Sequence, residues 1–355
     1  TTYNEIATLA RKSINDIRNL ATDKATMLKV FGATSYNKNM NGFQKCLKLY
    51  PELLSDPYSR ATLKDIKHSL ETDQWAAKFK TSGKYTFVVP DLYAFCEHLF
   101  LHISNPKGLL GNGEVSCKLF KDNIELDCLR SPHLYIEHAI RTNRHISSWF
   151  NTDAIYTSCA DCISKVLQFD NDGDKLLVVP DETLINLAKR NLQKYDIVPL
   201  FYNMAKAGAK ELTSDSLYDG LICAYTGGNI GEISNAITKV WNSGTIDQEK
   251  INVVKWLCME NNFVIDYAKT LYKPVRPDWV NEIISKHVKG RVPHFFQYAK
   301  GKEINQVEER CPNTVDRIKP LTPVQKLNFN FKNDNVGKFD YRFLLKNKEI
   351  KVDEN

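Results

Sequence analysis

The chain has 355 residues, 43% of them hydrophobic and 25% charged, which suits a soluble globular protein with a substantial core in one large or two to three ordinary domains. A net charge of +6 permits a nucleic-acid or phosphate partner without requiring one, and a slightly basic cytosolic protein fits it as well. No stretch reaches the roughly 18 apolar residues of a membrane span, so none is expected.

Residues 1 to about 80 read as helical. IATLARKSINDIRNLATDKATMLKVF repeats apolar residues at three and four spacing, and SRATLKDIKHSLETDQWAAKF does the same. Pro51 and Pro57 punctuate the connection between them. Near residue 84 the texture changes to β-branched and aromatic in KYTFVVPDLY. EVSCKLF and IELDCLR then alternate with period two, separated by a turn at KDN. In IELDCLR, Ile124, Leu126 and Cys128 are expected to face a core, with Glu125 and Asp127 on the other side. RSPHLYIEHAIRTN, a short helix or loop, and DAIYTSC follow. ISKVLQF reads as a strand entering an acidic cluster, and KLLVV as the strand leaving it. Five or six short strands between 84 and 180 predict a small barrel or sandwich.

After Pro180 the pattern is helical again. Asp181 is the expected N-cap of DETLINLAKRNLQKY, and further helices are predicted over 214–225, 229–242, 247–269 and 278–288. The tail from about 310 has a mixed pattern. The first residues lack the apolar core of a signal peptide, so a cytoplasmic location is expected. Because the chain begins without Met, it is expected to be trimmed or to be part of something longer.

The nine cysteines are scattered, unlike a secreted disulfide framework. Cys159 and Cys162 have CxxC spacing, but no second pair accompanies them, and buried thiols are expected there. The basic runs KHVKGR and LLKNKEIK read as solvated faces. His133 and His138 lack partners at zinc spacing and read as structural or substrate-adjacent.

The stretch QFDNDGDKLLVV sets Asp170, Asp172 and Asp174 within five residues, with Gly173 among them. Carboxylates this close repel one another. Alternate residues of an extended loop share a side, so the three can converge on a hard cation such as Mg²⁺. Gly173 allows a backbone with positive φ. A calcium loop is the second reading, but it needs Gly sixth and Glu twelfth where this chain has Lys175 and Asp181. A solvated hairpin turn is the third.

The order strand, D-x-D-G-D, strand resembles the metal-binding loop of RNA polymerases built on double-psi β-barrels. That superfamily includes the largest subunit of the multisubunit enzymes, the cellular RNA-dependent RNA polymerases of gene silencing and their single-chain phage relatives. Further segments are similar in the expected order. GLLGNGEVSCKLF has the texture of the segment entering the metal-binding barrel. RSPHLYIEHAIR resembles the "RNPxLHPGDIR" segment, with Arg130 and Pro132 matching and the P-G-D piece absent. NIGEISNAITKVW resembles an "xIGxIaNxH" helix. FVIDYAKTLYKP resembles "AVDfpKTG", with Asp266, Lys269 and Thr270 matching and the Gly not. The resemblance spans roughly residues 84 to 275.

It implies an α+β fold, a double-psi β-barrel flanked by N- and C-terminal helical regions. The implied organisation is a helical region at 1–83, a metal-binding barrel at 84–180, a helical domain at 181–310 and a tail at 311–355. Template-directed RNA synthesis is implied, nearest to the RNA-dependent enzymes. The alternatives are a DNA-dependent single-chain phage-type polymerase and a non-catalytic nucleic-acid-binding barrel. Asp170, Asp172 and Asp174 would hold Mg²⁺, with a second metal arriving with the nucleoside triphosphate. Arg130 and Lys175 would contact the nucleotide, and Lys269 and Lys273 the phosphates of the template or product. The family's second barrel, which donates lysines to the triphosphate, has no room in residues 1–80. An upstream segment or a partner is expected to supply it, and without one the chain would be inactive alone.

Overall fold

The computed structural model describes residues 1–204, 208, 211–226 and 230–309. Two compact units result, one taking in Ile6–Lys80 and the other Thr81–Gln297.

The first unit is built from α1 (Tyr3–Asn19), α2 (Lys24–Phe31), α3 (Gly42–Leu49) and α4 (Pro57–Trp75). Periodicity alone makes α1 and α2 one helix; the structure divides them at Asp23. Its carboxylate accepts the Thr26 N–H at 2.7 Å, so the chain finds a better end there than a continued turn. Gly32, at φ 74°, closes α2 in the left-handed region. Asn41 and Gln44 form a reciprocal capping box on α3, and Pro57 sits in the first turn of α4, where its missing N–H costs nothing. Leu20, Met27, Phe31, Leu47, Leu54 and Leu63 form the core.

The second unit opens with β1 (Lys84–Pro90), α5 (Leu92–Leu101), β2 (Glu114–Ser116), β3 (Glu125–Arg130), β4 (Ala139–Asn143), β5 (Ile155–Thr157), α6 (Ile163–Leu167) and β6 (Lys175–Val179). The strands close into a barrel in the order β1-β5-β2-β4-β3-β6. β1 and β5 run parallel, as do β2 and β4, and the remaining pairs are antiparallel. Val88, Val115, Leu126, Cys128, Ile155, Leu176 and Val178 fill its interior. The expected α+β class, a barrel with helical flanks, is present.

Three local expectations change. ISKVLQF is not a strand: Ile163–Leu167 is a helical turn, and its buried Ile163 and Leu167 lie four residues apart on one face. A short apolar run fits either period, and the barrel selects the helical one. EVSCKLF keeps only three strand residues, because buried Asn143 takes over the backbone beyond Ser116. Its Oδ1 accepts the Cys117 N–H at 2.8 Å, and its Nδ2 donates to Cys117 O at 3.1 Å and Lys121 O at 2.8 Å. α5, which the pattern did not separate from KYTFVVPDLY, starts at buried Asp91, whose Oδ1 accepts from Tyr93 and Ala94.

Beyond the barrel come α7 (Glu182–Leu192), α8 (Ser214–Thr226), α9 (Ile230–Trp241), α10 (Gln248–Ile265), α11 (Tyr267–Thr270) and α12 (Asp278–Val288). Asp181 caps α7 as expected, accepting from the Thr183 and Leu184 amides. Ile237, Val240, Ile251, Val254, Leu257, Val280 and Ile284 make the helical core. Tyr135, from the β3–β4 loop, is buried in this core. It lies 6.1 Å from the Trp241 ring, whose Nε1 donates to Leu134 O at 2.8 Å. The β3–β4 loop is thus gripped from both sides, by the strands at its base and the helices at its tip. No described helix is long and apolar enough to cross a membrane. The predicted mixed tail and LLKNKEIK lie outside the described residues.

Candidate functional site

Asp170, Asp172 and Asp174 lie on the loop between α6 and β6, at the rim of the barrel. The loop leaves α6 through Gln168, which is in the left-handed region at φ 55°. Residues 171–173 form a turn, and Gly173 takes φ 124° there, the conformation expected to require glycine. The loop is stitched to β1 because the Val88 N–H donates to Asp174 O at 3.1 Å. The Asp170 N–H donates to Asp174 Oδ2 at 3.1 Å.

The convergence expected of an extended loop is absent. Among the described residues, no three Asp, Glu, His or Cys side chains are placed to hold one metal ion. A turn rotates successive side chains instead of alternating them, and it leaves Asp170 and Asp172 exposed while Asp174 is half-buried. The donor set, three carboxylates and nearby solvent, still has the chemistry that Mg²⁺ selects.

Arg130, at the end of β3, accounts for the direction of Asp174. Its Nε lies 3.2 Å from Asp174 Oδ2, and its side chain is 13% exposed. β3 pairs with β6 so that Arg130 stands opposite Leu176, two residues beyond Asp174. The contact is an ion pair without an aligned hydrogen bond, and among the described residues the buried Nε has no hydrogen-bond acceptor. That leaves a directed donor beside the acidic loop.

Lys175 is exposed at the start of β6, and its Nζ lies 4.4 Å from the centroid of the Phe87 ring on the paired strand. Lys273 stands over Tyr267 at 5.2 Å and lines a cavity among α9, α10 and α12, away from the acidic loop's own residues. The side chain of Lys269 is not among those described. Asp266 and Thr270 are brought near the acidic loop: with Gln168 they line one cavity, and Asn262 of α10 hydrogen-bonds to Gln168. The NIGEISNAITKVW segment forms α9 in the helical core, and its Asn229 lies outside the described residues.

Periodicity missed Asp127. It does point away from the barrel interior, as the alternation predicts, but it is fully buried there. His138 covers it, with Nδ1 2.8 Å from Asp127 Oδ2. Burial raises the Asp127 pKa, and the bond from His138 opposes that shift. His133 stacks edge-on against His138 at 4.9 Å, which gives both histidines a place in the β3–β4 loop. Cys159 and Cys162 correct another expectation: both are exposed. The apolar run begins only at Ile163, and between the two thiols Asp161 turns inward to the Arg141 guanidinium.

No family model matches the chain. It is similar to a phage RNA polymerase. The relative is the DNA-directed RNA polymerase YonO of Bacillus phage SPbeta, 49% identical over 357 residues. The match covers 99% of this chain and 41% of that protein, so the chain spans about two-fifths of the relative's length.

Proposed function

We propose that this chain is the acidic-loop portion of a template-directed RNA polymerase that copies DNA. The observation that carries the reading is the 49% identity to a DNA-directed RNA polymerase over 99% of the chain, which takes in the whole barrel. The relative's template favours DNA over the RNA template that the silencing-type resemblance implies. The two parallel strand pairs, β1–β5 and β2–β4, support a double-psi barrel.

In this reading Asp170, Asp172 and Asp174 hold Mg²⁺. The ion would neutralise the phosphate and polarise the attacking hydroxyl of nucleotidyl transfer. The chain's own groups bind and orient. Arg130 presents its unmatched Nε and fork of donors to a sugar or phosphate oxygen, and it steadies Asp174 while the site is empty of substrate. Lys175 sits next to the acidic loop and can leave the Phe87 ring for a phosphate at small cost, since exposed cation–π contacts contribute about 0.5–1 kcal/mol. Lys269 and Lys273 would follow the backbone of the template or product. The lysines that meet the triphosphate would come from a second barrel, upstream or on a partner. The organisation into residues 1–83, 84–180, 181–310 and 311–355 is proposed on the same basis.

The test is incorporation of labelled ribonucleotides with Mg²⁺ on DNA and RNA templates, by the chain alone and together with a lysine-bearing barrel. RNA made on the DNA template, and abolished by Asp172→Ala, is expected. Synthesis that survives Asp172→Ala, or that requires an RNA template, overturns the proposal.

A further inference from the structure

Gln168 is bent into a conformation that residues with a Cβ resist by about 1–2 kcal/mol. Such outliers persist where their surroundings hold them, and they gather at functional sites. Here the holding contact is visible: the Asn262 amide of α10 donates to Gln168 Oε1. The pair forms the polar edge of a cavity of about 240 Å³. Phe201, Met259 and Phe263 make its apolar walls, and Asp266 and Thr270 complete its polar side. Phe201 is 60% exposed, and no lysine or arginine lines the cavity among the described residues.

We propose that this cavity receives a nucleobase; the inference rests on the polymerase reading above. The lining matches that chemistry. Aromatic and thioether walls suit a flat heteroaromatic ring, and base–aromatic stacking contributes about 1–3 kcal/mol. An amide carries both donor and acceptor, so Gln168 and Asn262 can meet a base edge of either polarity, while the Asp266 carboxylate accepts from ring or exocyclic N–H groups. Anionic ligands do not fit, because the cavity holds a carboxylate and no cation. An apolar side chain or acyl chain would leave the amides unpaired. The phosphates of a bound nucleotide therefore stay outside. Asp170 is two residues from Gln168, within about 7 Å along the chain, so the sugar–phosphate part would face the acidic loop. The strained Gln168 thus carries one side chain that reads the base and begins the loop that meets the phosphate.

The experiment is photolabelling of the full chain in Mg²⁺ with two probes, 4-thiouridine triphosphate and a short RNA ending in 4-thiouridine. Peptide mapping locates the cross-links. Labelling of residues 259–270 or Phe201 is expected, with competition by the unlabelled probe. The triphosphate labels if the base belongs to an incoming nucleotide; the RNA labels if it belongs to a strand end. Asn262→Ala and Phe263→Ala should lower labelling about tenfold. Gln168→Gly guards against misfolding: glycine accepts φ 55° and removes only the amide, so unfolding is unchanged or delayed while labelling falls. Cross-links elsewhere, or labelling that these variants leave intact, overturn the inference. Labelling needs no turnover, so its outcome is independent of whether Asp172→Ala abolishes synthesis.

Discussion

Arg130 Nε and Asp174 Oδ2 approach to 3.2 Å across the β3–β6 pair, at the edge of the barrel. One residue thereby limits the repulsion in the acidic loop and keeps a donor for substrate. Arg130→Ala is expected to lower kcat/KM for nucleotide incorporation by about 10- to 100-fold, the worth of a hydrogen bond to a charged group. Arg130→Lys should recover little, because an ammonium lacks the planar fork. Steady-state incorporation at varied triphosphate checks both; full activity in the lysine variant contradicts this role.

Asp127 and His138 behave as one buried unit. Removing either partner strands the other, so Asp127→Ala or His138→Ala should each cost about 3 kcal/mol. The double variant Asp127→Leu/His138→Leu should cost less than either single change, because no buried polar group is then left unpaired. Urea midpoints of the three variants decide it.

Glu137 gives the protein a pH dependence of definite sign. Burial, against the bonds and the neighbouring His138 that oppose it, pushes its pKa up to about 7, and its Oε2 is buried with no hydrogen-bond partner. Cys258 is the other titratable group it faces. The folded state keeps the proton that the unfolded chain releases near pH 4.3. This stability is full below about pH 4.3 and is lost as pH rises through 7. Glu137→Gln should therefore stabilise the protein by about 2 kcal/mol at pH 8 and leave it unchanged at pH 4. Denaturation at the two pH values measures the difference.

Asn143 replaces a stretch of strand pairing with one side chain. Asn143→Ala would unpair the Cys117 amide and two carbonyls, at a cost of about 3 kcal/mol. Hydrogen exchange at Cys117 should accelerate with it. Unchanged protection there would show that the strand end has another support.

Legibility in the sequence followed the range of the interaction. Asp181 and the 3.6-residue period mark α7 because a cap and its amides are neighbours in the chain. Gly173 was legible for the same local reason. α6 was not, since Ile163, Val166, Leu167 and Phe169 suit either period until the barrel interior is present to choose. The burial of Asp127 depends on His138, eleven residues away, and the setting of Gln168 on Asn262, ninety-four away. The acidic loop was legible as composition, but its turn, which spreads the carboxylates, was not.

The place of β1 in the barrel sets a timing problem. Val88 pairs with Ile155 on one side, and Phe87 pairs with Lys175 on the other. Both partners follow by many residues, so during synthesis the first strand waits with two open edges until the last is made. Pairings so distant in sequence slow folding and leave edges open to aggregation. Chaperone dependence during translation, ended only when β6 clears the ribosome, is the cost of closing this barrel with its first strand.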